Sequence, residues 1–135
     1  MSPLHGEHEL ASLLETARDR AVEGRHAEAS ETYLVAADLA EELNDKAVAR
    51  AARSSARRNH VVIWARRRWP ADNVQGEDVL IDRSWIGHTH NRELVRFAVR
   101  RVTRPMNRRT GAPARVGWTI VQVDRLGRVR VVGER

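Results

Sequence analysis

Two imidazoles alternate at His88-Thr89-His90. In an extended segment both rings would leave the chain on one side. With Asp82 or Glu93 they form a candidate metal site, and with Arg92 a candidate acid/base pair for phosphodiester cleavage. The pattern is incomplete, because no third ligand stands at the spacing of a metal motif. The chain has no cysteine, which excludes a thiolate zinc site and a disulfide framework. It also has no glycine-rich phosphate loop, nucleophile elbow or paired-carboxylate motif. The reading is therefore of a non-enzymatic protein with no cofactor and no metal. A small nuclease using His88 and His90 is the third reading.

Arginine is the other chemistry the sequence offers. Residues 1–49 hold three Arg and one Lys against eleven Asp and Glu, a net charge of −7. Residues 50–135 hold twenty Arg against seven Asp and Glu, a net charge of +13. Lys46 is the only lysine. A GC-rich genome would replace Lys by Arg, but codon bias does not gather basic residues into one half. The guanidinium group presents a planar fork of donors that suits phosphate and carboxylate. Such an asymmetry points to nucleic acid or an acidic partner. It is also compatible with the acidic half docking on the basic half.

The candidate phosphate-binding residues fall in three places. Arg57, Arg58, Arg66, Arg67, Arg68 and Trp69 end a long helix. Arg104, Arg108, Arg109 and Arg115 lie in a loop. Arg128 and Arg130, with Arg125 beside them, lie on a hairpin. Binding of this kind gives affinity without sequence readout and weakens with salt. Trp64, Trp69, Trp85 and Trp118 supply most of the aromatic area, since the chain has one Tyr and one Phe. Base stacking beside arginine is one use for them. Core anchoring is the ordinary one, and Trp69, between Arg68 and Pro70, is the candidate exception.

Positioning these residues requires an acidic helical front. Glu9 to Glu23 has Leu10, Leu13, Leu14, Ala17, Ala21 and Val22 at helical spacing, after a frayed segment 1–8. Gly24-Arg25 breaks the run. Ala27 to Leu43 is a second helix, with Ala29, Tyr33, Ala36, Ala37, Leu39, Ala40 and Leu43 inward. The short break makes the two helices antiparallel neighbours. Asn44 to Trp69 is a third, long helix. It is expected to cover the hairpin through Val48, Ala51, Ala52, Ser55, Val62 and Ile63.

Gly24, Ala29, Tyr33, Ala36 and Leu39 resemble the turn and second helix of a single tetratricopeptide repeat. Leu13 and Ala17 suit its first helix. Thr16 and Arg20 depart from it, as does Glu41 where a proline is usual. Microtubule-interacting-and-trafficking domains look similar at this level. The resemblance covers about 34 residues, one repeat's worth. It implies a peptide or protein contact surface, or self-association, with Glu28, Glu31, Asp38, Glu41 and Glu42 on the exposed face.

Pro70 stops the long helix. Val79-Leu80-Ile81 reads as a short buried strand. Glu93 to Thr103 fits two periods. As a helix it gathers Leu94, Val95, Ala98, Val99 and Val102. As a strand it places Val95, Phe97 and Val99 opposite Arg96, Ala98 and Arg100. The β-branched and aromatic content favours the strand. A winged-helix order requires the helix instead, and its helix-turn-helix would put Asp82 and Arg83 where small apolar residues pack. Val116–Val123 and Arg128–Val132 read as two strands joined by Asp124-Arg125-Leu126-Gly127.

The expectation is thus an α+β chain, with a three-helix repeat-like bundle over residues 1–69 and a basic, β-rich region over 70–135. Its reading is binding of DNA or RNA, with a regulatory role. A protein-interaction adaptor with an acidic partner is the alternative. Mean hydropathy is −0.56, and no apolar run approaches the roughly 18 residues of a membrane helix. The start of the chain lacks the regions of a secretory signal. Those features fit a cytoplasmic protein without membrane association.

Overall fold

In the computed structural model, residues 3–81, 94–103 and 113–134 are described. Three helices, α1 (Pro3–Val22), α2 (His26–Glu42) and α3 (Lys46–Arg68), precede a four-stranded sheet. Its strands are β1 (Val79–Ile81), β2 (Val95–Thr103), β3 (Arg115–Val123) and β4 (Val129–Glu134). The chain divides into two compact units, Met1–His60 and Val61–Arg135. The division falls within α3, so its residues up to His60 belong to the helical unit and its last two turns to the sheet unit.

In the helical unit the breaks between helices have a common cause. Gly24 adopts a left-handed φ of 81°, and Asn44 one of 60°. After α1, the Gly24 N–H donates to the Ala21 carbonyl and Arg25 N–H to Arg20. After α2, Asn44 N–H donates to Glu41 and Asp45 N–H to Ala40. Both are Schellman closures, which satisfy the last carbonyls of a helix and require a residue that tolerates positive φ. Asp45 then caps α3, its Oδ1 accepting the Val48 N–H at 3.2 Å.

Small residues let these helices approach closely. Leu10, Ala36, Ala37, Leu39, Ala40, Ala49 and Ala52 form the buried cluster, with Leu13, Leu14, Tyr33, Leu43 and Val48 packed against it. A buried polar ladder joins α2 to α3. The Asn59 amide nitrogen donates to Ser55 O at 2.8 Å, which leaves Asn59 Oδ1 to accept from His26 Nδ1 at 2.7 Å. Ser30 Oγ donates to Ala56 O at 3.2 Å and meets His60 Nε2 at 2.7 Å. Donor counting therefore puts the proton of His26 on Nδ1 and that of His60 on Nε2.

Three expectations for this unit need correction. α1 starts at Pro3, a residue well suited to the first helical position, so the helix includes most of the segment expected to fray. Gly6 is buried, and a side chain there would meet Leu43. The inward face of α3 is Val48, Ala49, Ala52 and Ala56, whereas Ala51 is exposed. Val22, expected in the apolar stripe of α1, is 84% exposed.

The sheet unit is an antiparallel meander in the order β1-β2-β3-β4. Its inner face carries Val79, Phe97, Val99, Val121 and Val123, which bury against Val61, Val62 and Ala65 of α3 and Val74 of the connector. Residues 95–103 are therefore strand, as their β-branched content indicates, and the winged-helix order is excluded. Trp118↔Arg100, Ile120↔Ala98 and Gln122↔Arg96 pair across β2 and β3. Period-2 alternation turns these residues away from the buried Thr119, Val121 and Val123. A bulge at Ile120/Val121 shifts the register of β4. Asp78 fastens the sheet's start. Its Oδ2 accepts Gln75 N–H at 3.0 Å, and its Oδ1 accepts Arg100 Nε and Nη2 at 3.0 and 2.8 Å.

Candidate anion-binding site

The site grows from one turn. Asp124 O accepts the Gly127 N–H at 3.1 Å, and Gly127 has a φ of 79°. That is a type I turn followed by a left-handed residue, a common closure for a three-residue hairpin loop. Asp124 Oδ1 accepts the backbone N–H of Leu126 at 2.9 Å and of Arg128 at 3.0 Å. Its Oδ2 accepts Arg128 Nε at 2.7 Å. Desolvation would raise the pKa of the Asp124 carboxyl. The hydrogen bonds from Arg128 and Leu126, with the charge of Arg128, outweigh it and hold the carboxyl below its ordinary range.

This carboxylate fixes the direction of a guanidinium. Arg128 is held through Nε and lines a cleft of about 510 Å³. Gln122, Arg125, Arg130, Leu94 and Val129 line the same cleft. Across the strands, Arg96 pairs with Gln122, and Gln122 with Arg130. Adjacent strands lie about 4.8 Å apart, so Arg96 and Arg130 flank Gln122 in one row. Among the described residues, three arginines line the cleft against one carboxylate, itself engaged by the turn, and this makes their side of the cleft cationic. It is suited to oxyanions, because arginine binds phosphate and carboxylate through paired donors.

The arginines expected to form one surface lie in several places. Arg57 is buried, only 5% exposed, and so is not part of an open arginine surface. Arg58 is half-buried, and its Nε is buried without a hydrogen-bond partner. In the sheet unit, Arg66 is used internally, with Nε donating to Val74 O at 3.1 Å and Nη2 to Gln75 at 3.2 Å. Arg67 and Arg68 are exposed at the end of α3, which packs on the inner face of the sheet, whereas Arg96 and Arg130 belong to the other face. Arg115 is exposed at the end of β3 remote from the hairpin. Arg128 and Arg130 are brought together. Arg104, Arg108, Arg109, His88 and His90 lie outside the described residues.

Trp69 is a packing residue. It meets Trp64 edge-on, with centroids 5.3 Å apart and an interplanar angle of 85°. Arg101 lies over its ring at 4.1 Å and Arg68 at 5.7 Å. Its face is thus occupied by cations of its own chain. A search for basic runs misses Asp124, which lines the cleft, and Arg96, which pairs with the cleft residue Gln122. The signal for Asp124 is the Asp-x-x-Gly-Arg pattern of its turn. Arg96 requires the strand register.

Comparison with protein-family models, curated proteins and solved structures finds no match. Among the described residues, no group of three or more His, Cys, Asp or Glu is placed to hold a metal ion. No helix among them is long and apolar enough to cross a membrane.

Proposed function

We propose that this chain is a non-enzymatic nucleic-acid-binding protein that holds phosphates in the arginine-lined cleft at the β3–β4 hairpin. The observation that carries the reading is the set of Arg125, Arg128 and Arg130 around one cleft, with Arg128 pre-oriented by Asp124. Among the described residues, Arg125 and Arg130 make no ion pair. Their charge is available to a ligand.

The test is fluorescence anisotropy of labelled oligonucleotides with the wild-type chain and with Arg125→Gln/Arg130→Gln. Both side chains are exposed, so the double variant leaves the fold intact. Its affinity should fall for every sequence alike. The slope of log K against log salt should fall by about one for each phosphate that is no longer neutralised. An unchanged salt slope contradicts the reading.

A second reading rests on the helical unit. α2 exposes Leu34 and Val35, and Glu31 and Asp38 on the same helix are also exposed. Exposed apolar residues among acids suit a protein partner with basic residues. The tetratricopeptide-like hairpin would be the adaptor part of such a protein. Capture of a specific protein by wild type, abolished in Leu34→Ser/Val35→Ser, would support it.

A further inference from the structure

We propose that the ligand is single-stranded, and that the face of the sheet turned away from Val61, Val62 and Ala65 extends the cleft into a track on which a base stacks against Trp118. The proposal rests on the nucleic-acid reading above and adds the class of ligand. Its basis is the composition of the outer face. The inner face is mainly apolar, with Phe97 and four valines buried beside Thr119. The outer face mixes charge with apolar area in a way that folding alone does not require. Leu80 on β1 is 49% exposed and Val116 on β3 is 57% exposed. Trp118 lies two residues beyond Val116 on β3, opposite Arg100 of β2. It is half-buried and absent from the apolar cluster of the inner face.

The order along β3 separates two modes of binding. Gln122, flanked by Arg96 and Arg130, marks the cationic row. Trp118 lies four residues away, about 13 Å at the strand rise. Its neighbour Arg100 is neutralised by Asp78. The strand therefore runs from a phosphate-binding end to a near-neutral end with an aromatic ring. A polyanion with detachable flat bases matches that order. A duplex matches only the first part, because its bases are already stacked on each other. A purely acidic peptide such as poly-glutamate also matches only the first part, because it carries no ring to place on the indole. Stacking of a base on an aromatic side chain is sequence-tolerant and strengthens binding several-fold to about a hundredfold.

The experiment compares a labelled oligothymidine of about 12 nucleotides, in the range of sites on small sheet folds, with the same oligomer annealed to its complement. Poly-glutamate is the competitor. Trp118→Ala should weaken single-strand binding by about tenfold and leave duplex binding unchanged. Trp118→Phe, which keeps a ring and the packing, should retain affinity. It should also lose most of the quenching of tryptophan fluorescence that the oligomer causes in wild type. If Trp118→Ala does not fold, the quenching comparison decides. Quenching that persists undiminished in Trp118→Phe overturns the proposal. So does equal affinity for single strand and duplex, although the cleft reading then survives. Equal competition by poly-glutamate also overturns it and assigns the face to an acidic protein. No binding to either nucleic acid removes both the proposal and the reading beneath it.

Discussion

The two units solve the same packing problem with different materials. The helical unit buries alanines and a polar ladder, so its helices sit close and are held in register by His26, Ser30, Asn59 and His60. The sheet unit buries β-branched residues and one phenylalanine. An alanine core gives little transfer free energy per residue, because each methyl removes little apolar area from water. Specific hydrogen bonds therefore matter more there. The sheet core gains more from area and needs no buried ladder. Its polar chemistry is on the outer face, where Asp124 and Asp78 each orient one arginine.

The largest effect that would break this contrast is in the sheet unit. Phe97 is fully buried, and Phe97→Ala should destabilise by about 3–5 kcal/mol through reduced transfer free energy and a residual cavity. Amide hydrogen exchange should show the loss in β2 and β3, with α1 and α2 retaining protection. Equal loss in α1 and α2 would mean that α3 couples the units, and would dissolve the comparison.

The next largest is the removal of the ladder in the helical unit. Asn59→Ala leaves the His26 N–H without its acceptor in a buried site, which costs about 1–3 kcal/mol. Asn59→Leu/His26→Leu, which removes both partners, should recover part of that loss. Urea denaturation followed by far-UV circular dichroism checks both. A double variant as unstable as Asn59→Ala would show that area, not hydrogen bonding, limits this core.

A matched pair at the turns sharpens the contrast with function. Gly24 and Gly127 have φ near 80° in different units. A side chain at Gly24 would meet no atom within 4 Å, so Gly24→Ala tests conformation alone and should cost about 1–2 kcal/mol. Gly127→Ala should carry a similar cost, and it also disturbs the turn in which Asp124 orients Arg128. Only Gly127→Ala should weaken oligonucleotide binding in the anisotropy assay.

These turns are the most legible parts of the sequence. Gly24, the Asn44-Asp45 pair, Pro70 and Asp124–Gly127 each require or forbid a specific backbone, and each marks a true boundary. Faces are harder to read where residues are alike in size. The run Ala47 to Ala56 is mostly small, so nothing in its pattern separates one alanine from the next. Val48 and Ala52 face inward as expected, but Ala49 and Ala56 are buried where Ala51 and Ser55 were expected. Arginine is the other blind spot. Its long stem can bury while its charge finds partners, so Arg57 and Arg66 read as surface although one is buried and the other ties α3 to Val74 and Gln75. The cleft is half legible. Arg128 and Arg130 share a strand parity, but the arrival of Arg96 beside Gln122 depends on a pairing fixed by the whole sheet.

The smallest effect concerns the ladder's own charge state. Burial holds the His60 pKa below the ordinary 6.5, disfavouring the imidazolium. Its Nε2 faces Ser30 Oγ, which already donates to Ala56 O, so the neutral ring supplies the hydrogen that this pairing needs. In the unfolded chain the group titrates near 6.5. Below that pH the unfolded state binds more protons than the native state, and stability must fall. The contribution is complete above pH 6.5, declines as pH drops toward the native pKa, and levels off beneath it. His60→Gln, whose amide can donate to Ser30 without titrating, should flatten this part of the profile. The measurement is the urea midpoint between about pH 5 and 8, the range over which histidine changes charge. An identical slope in wild type and His60→Gln would remove His60 as its source.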